Sequence, residues 1–95
     1  MILEEEDIKI VKEILQKLVP NKKVIAFGSR VHGRNLKKFS DLDLAIYNVD
    51  YNTCLQLKDE FSASYLPIKV DVVAMDSCKQ EFKKIILQDY EVIQE

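Results

Sequence analysis

The sequence predicts an α/β domain: a small mixed sheet of three or four strands with flanking helices. Three observations predict it. Segments with helical spacing of apolar residues alternate with short apolar or period-two segments along the chain. The link between the first two strands, residues 29–40, is near the lower limit for a parallel crossover, which favours a mixed sheet. The chain has 95 residues and 11.1 kDa, room for one core and one domain spanning 1–95.

Residues 4–18 read as an amphipathic helix. Ile8, Val11, Leu15 and Leu18 fall on one stripe, widened by Ile10 and Ile14. Glu4, Glu5, Glu6 and Asp7 occupy its first turn, where the helix dipole favours negative charge. Pro20 and Asn21 stop it. Val24 to Phe27 form a buried strand, ended by Gly28. Residues 29–39 are polar and suit a short helix and a loop. Asp41 to Tyr47 alternate, with Leu42, Leu44 and Ile46 on one side and Asp41, Asp43 and Ala45 on the other. Asn48 to Asn52 make a turn, and a helix follows to about Ser64. Pro67 opens a third strand that runs through Ala74. Ser77 and Gln80 form a capping box for a final helix, with Phe82, Ile85, Ile86, Tyr90 and Ile93 as its core stripe.

Composition narrows the function. Hydrophobic residues are 47% and charged residues 32%, with two Gly and two Pro, which excludes disordered and low-complexity chains. Two cysteines, Cys54 and Cys78, are too few for a disulfide framework and lack metal-ligand spacing; they read as small, partly buried apolar residues. No apolar run approaches a membrane span, and the acidic N-terminus does not resemble a signal peptide, so a cytoplasmic protein is expected. The net charge is −2, with no strong sign of nucleic-acid binding. Residues 21–40 nevertheless carry six Lys or Arg and no Asp or Glu, which leaves −8 on the other residues. His32 has no second ligand at zinc spacing, and no spacing among Tyr47, Tyr51, Tyr65 and Tyr90 selects a base-stacking partner.

The basic block ends at Asp41 and Asp43. Two residues apart on a strand, both carboxylates project from one face. Side by side they repel unless a cation lies between them, and Mg²⁺ commonly takes one or two carboxylates plus substrate phosphates. Alone, the pair fits a solvated edge-strand face better. Gly28-Ser29 after a buried strand allows close backbone approach, and a helix starting at Ser29 would offer N–H groups to a phosphate. Neither a P-loop nor a dinucleotide loop is present. Asp71, inside the apolar run Val70 to Val73, needs a partner, a metal or an open edge. If its strand neighbours the second, three carboxylates line one cleft.

Phe27-Gly28-Ser29-Arg30, Gly33 and Ser40-Asp41-Leu42-Asp43-Leu44-Ala45-Ile46 resemble the DNA polymerase β-type nucleotidyltransferase superfamily, with 11 residues between Ser29 and Asp41. The likeness is to its minimal nucleotidyltransferase group and covers about residues 22–75. It implies metal-dependent transfer of a nucleoside monophosphate, AMP from ATP, to an acceptor hydroxyl. Gly28 and Ser29 would bind phosphates. Arg30 joins them as a nucleotide-binding candidate, by phosphate contact or by bracing the loop. Asp41, Asp43 and Asp71 would be the catalytic and metal residues, holding two Mg²⁺ ions. The resemblance also implies a small helical partner, of the HEPN type or a substrate-binding protein, often in a toxin–antitoxin pair. Transfer to a small molecule and neutralisation by binding alone are the alternatives, and homo-oligomerisation stays open.

Overall fold

The computed structural model describes residues 1–95. The elements run α1 (Glu5–Leu18), β1 (Val24–Phe27), α2 (Ser29–His32), β2 (Leu42–Ile46), α3 (Tyr51–Ala63), β3 (Val70–Ala74), a 3₁₀ turn (Met75–Ser77), α4 (Gln80–Gln88) and β4 (Tyr90–Gln94). Four strands form one mixed sheet in the order β3-β2-β1-β4. β1 is antiparallel to β2 and to β4, and β2 is parallel to β3. The 12-residue link therefore serves an antiparallel pair, and the parallel crossover is carried by α3.

The sheet divides two cores. On one face Val24, Ala26, Leu42, Leu44, Val70 and Val72 pack with Val11 and Leu15 of α1 and with Leu57 and Phe61 of α3. On the other, Ile25, Phe27 and Ala45 pack with Met75 and with Ile86 of α4. The alternation of Leu42 and Leu44 against Asp43 and Ala45 thus sorts side chains between two faces. Asp50 caps α3, its carboxylate accepting from the Thr53 N–H at 2.8 Å and hydroxyl at 2.6 Å. Those bonds hold the Asp50 carboxyl below its ordinary pKa. Cys54 is buried, which pushes its thiol pKa up, and Cys78 is half-buried.

The C-terminal segment departs from the sequence reading. α4 ends at Gln88, and Tyr90 to Gln94 form the fourth strand. Tyr90 and Ile93 therefore lie on no helical stripe. Tyr90 pairs with Phe27 and Val92 with Ile25. The Ser77 capping box does not form either. Ser77 belongs to the 3₁₀ turn, and extended Lys79 precedes α4 without a side-chain cap. β3 starts at Val70, so Pro67 lies in the turn before it.

Candidate active site

The strand register assembles the site. Phe27 pairs with Asp43, and Asp43 pairs with Asp71. The two carboxylates are thus neighbours on adjacent parallel strands, on the face opposite Leu42 and Leu44. Asp41 lies two residues earlier, just before β2. Asp41, Asp43 and Asp71 are each half-buried.

The electrostatics tie the three together. The Asp43 pKa is pushed up to about 6, first by burial, then by the negative charges of Asp71 and Asp41. The nearest protein cation is Lys69, whose Nζ lies 3.9 Å from the Asp71 carboxylate. This is a cluster of oxygen donors short of positive charge, which fits a hard divalent cation. No three acidic, His or Cys side chains come together closely enough to hold a metal ion by themselves. An open row suits an ion that also takes ligands from a substrate phosphate.

A carboxyl whose folded pKa is raised favours the folded state at low pH and loses that contribution as pH rises. Here the window runs from the ordinary value of 3.8 to about 6. In chelator, Asp43→Asn should therefore raise Tm at pH 8 and leave it unchanged at pH 4. Asp43 is partly exposed, so solvent screening limits the gain to about 1 kcal/mol, on the order of 5 °C. Equal melting of the variant and wild type at pH 8 would contradict this origin of the shift.

Gly28 shapes the other side of the row. Its φ of 80° and ψ of −160° belong to a region that glycine alone occupies readily. A Cβ there would lie 2.5 Å from Asp43 Oδ2. The glycine thus lets the backbone before α2 approach the carboxylate closely. Gly28→Ala should displace Asp43 and cost on the order of 100-fold in turnover, together with a lower Tm. Single-turnover rates and a thermal melt check both. Ser29 begins α2 and is half-buried beside this turn.

Arg30 braces the loop, the second of the two roles open to it, and its side chain is engaged with backbone carbonyls. It is 8% exposed. Its Nε donates to the Ser40 carbonyl at 3.1 Å, and its two terminal nitrogens donate to the Ile2 and Lys38 carbonyls at 3.2 and 3.0 Å. Every guanidinium nitrogen is engaged, and the loop it holds leads into Asp41. No carboxylate pairs with Arg30. Glu4, Glu5 and Asp7 line the same cavity of about 620 Å³. That cavity lies behind the loop, and the three carboxylates of the row do not line it.

In the rest of the basic block Arg34 alone finds a carboxylate. Arg34 pairs with Asp89 at 2.9 Å, and Lys38 stacks 5.4 Å from the Phe39 ring centre. His32 Nδ1 accepts the Arg34 N–H at 2.9 Å, a local structural use of the imidazole. Among the four tyrosines the sequence does not single out Tyr90. Its register with Phe27 puts it in the same cross-sheet row as Asp43 and Asp71, and 46% of it is exposed. Only the long-range β1–β4 pairing reveals this.

The profile of the family described as "Polymerase beta, Nucleotidyltransferase" matches residues 9–95. A Haemophilus influenzae protein described as "Probable protein adenylyltransferase MntA" is 47% identical over 96 residues, covering 98% of this chain and 83% of that protein. Among solved structures, a toxin–antitoxin with AMP-PNP superposes with a TM-score of 0.75 at 19% identity, over 90% of this chain and 71% of that one. A complex of tri-AMPylated Shewanella oneidensis HEPN toxin with its MNT antitoxin gives 0.71 at 16% identity, over 96% and 71%. At these identities the two structures bear on the fold.

Proposed function

The chain belongs to the polymerase beta nucleotidyltransferase family, and from that premise we propose that it moves AMP from ATP to a hydroxyl on a small helical partner protein. The observation that carries the reading is the row Asp71–Asp43 beside the Gly28 turn. Its pattern of clustered carboxylates and closely approaching backbone suits a triphosphate with its cation. The relative that bears on the acceptor is the adenylyltransferase at 47% identity.

In this reading Gly28 and Ser29 hold the β- and γ-phosphates at the start of α2. Asp41 and Asp43 would hold Mg²⁺, two ions in the fullest form. Bound Mg²⁺ would neutralise phosphate charge and favour ionised Asp43. Asp71 accepts the proton of the acceptor hydroxyl. The hydroxyl oxygen bonds to the α-phosphorus, the bond from that phosphorus to the β-phosphate oxygen breaks, and pyrophosphate leaves. Arg30 keeps the Asp41 loop in place.

Two labelled forms of ATP test the assignment. With Mg²⁺ and a HEPN-type partner, label in the α-phosphate should become covalent on the partner, and label in the γ-phosphate should leave as pyrophosphate. Transfer of the γ-label instead would make the protein a kinase. No transfer, with the partner still neutralised, would favour action by binding alone.

A further inference from the structure

β3 is an edge of the sheet. The Leu42 N–H donates to the Lys69 carbonyl at 3.0 Å, and the parallel register continues from Leu42/Val70 to Ile46/Ala74. A strand in a parallel ladder turns alternate residues toward its neighbour. Lys69, Asp71 and Val73 therefore face β2, and the N–H and C=O groups of Val70, Val72 and Ala74 face outward. No turn, loop or cap backbone bond reaches those groups; the Cys78 thiol alone contacts the Ala74 carbonyl, at 3.4 Å. Edges in stable proteins are commonly blunted by proline, lysine, bulges or a cover. From Val70 to Ala74 this strand has no proline, lysine or bulge.

A groove runs along this edge against α3. Two cavities of about 450 and 330 Å³ flank β3 and share Lys58. On their α3 wall Tyr51, Cys54, Lys58 and Phe61 form a stripe at helical spacing, with Asp59 and Ser62 beside it. Together, a free strand edge and a groove beside it fit one kind of ligand, an extended polypeptide.

Side chains of an added strand would alternate between two environments. One set would drop against the α3 stripe. The other would lie on the carboxylate face and extend the row of Tyr90, Phe27, Asp43 and Asp71 beyond Asp71. Directly opposed side chains on neighbouring strands have Cβ atoms about 5 Å apart. A hydroxyl on the residue opposite Asp71 would thus be within reach of that carboxylate.

We propose that the β3 edge binds an extended segment of the acceptor protein as a fifth strand, with its acceptor tyrosine, serine or threonine opposite Asp71. Lys58, exposed Lys69 and Asp59 line the groove, and this excess of one positive charge favours acidic residues in that segment. A second copy is a poorer occupant. Pairing of β3 with β4 of another copy is heterologous and gives a ring or an open filament rather than a two-fold dimer. Pairing of two β3 strands gathers both carboxylate rows at one seam. The role of the hydroxyl rests on the adenylyl-transfer reading; strand addition does not.

Ala74→Pro isolates the edge. Ala74 has φ −82°, close to that of proline, and its N–H faces outward. The change should leave the fold intact by circular dichroism. The probe is a blocked seven-residue peptide with valine at every second position, one tyrosine and one glutamate. Wild type should show amide-exchange protection confined to Val70, Val72 and Ala74 when peptide is added, and should adenylylate its tyrosine. Ala74→Pro should reduce both at least tenfold, and Lys58→Glu should weaken binding severalfold. A proline-interrupted peptide should neither bind nor label. Wild-type labelling by Ala74→Pro, or protection elsewhere, overturns the proposal. Peptide protection without transfer keeps the docking site and overturns the adenylyl-transfer reading instead. A concentration-dependent dimer that Ala74→Pro dissociates would reassign the edge to a second copy.

Discussion

Asn at both Asp41 and Asp43 should reduce covalent nucleotide transfer on the order of 1,000-fold or more. The two residues are proposed to hold the cation that offsets charge at the reacting phosphate, and such ions supply several kcal/mol of transition-state stabilisation. The amides keep the shape of the carboxylates and lose their charge, so packing should survive. Removing mutual repulsion should even make the metal-free double variant melt higher than wild type above pH 6, since Asp43 is the group whose ionisation the fold resists. The pairing of a large loss of turnover with unchanged or higher Tm identifies an electrostatic role. Turnover is read from label transfer in Mg²⁺ and stability from thermal melts in chelator. Near-normal transfer would remove the row from the catalytic machinery. A sharp drop in Tm would mean that the carboxylates are structural.

Arg30→Ala should have the largest effect on stability of any single change considered. Three backbone carbonyls, at Ile2, Lys38 and Ser40, accept from one nearly buried guanidinium. Hydrogen bonds to a charged donor contribute about 1.5–3 kcal/mol each, and carbonyls left without a donor keep part of their desolvation penalty. Solvent can enter as the loop loosens, so a net loss of about 3 kcal/mol is expected, or on the order of 15 °C in Tm for a chain of this size. Arg30→Lys should recover part of this, because an ammonium satisfies fewer carbonyls and cannot match the planar fork. Activity should fall with the loop, since Ser40 immediately precedes Asp41. A variant that melts normally but loses nucleotide affinity would return Arg30 to phosphate binding.

Much of the fold is legible in local pattern. The stripe of Ile8, Val11, Leu15 and Leu18 belongs to a helix because no other period gathers those residues on one side. Val24 to Phe27 is too short and too apolar for a surface helix. The spacing from Gly28 and Ser29 to Asp41 and Asp43 marks the candidate site because each residue type there meets a local demand: backbone freedom at the turn and oxygen donors on one strand face. The C-terminus was not legible in the same way. Phe82, Ile86, Tyr90 and Ile93 fit a helical period, while Tyr90 and Val92 fit a strand. Both patterns are satisfied locally, and pairing with Phe27 and Ile25, more than 60 residues earlier, decides between them.

By itself, the sequence determined the family of the chain, the α/β class and the residues that carry charge at the site, because these depend on residue type and short spacing. Tertiary structure alone decided which carboxylates share a row, since Asp43 and Asp71 meet only through the β2–β3 register. It also placed the three carbonyls that Arg30 holds, which come from two separate segments. Finally, it left one edge of β3 unpaired beside α3, a property of the sheet order that no local pattern contains.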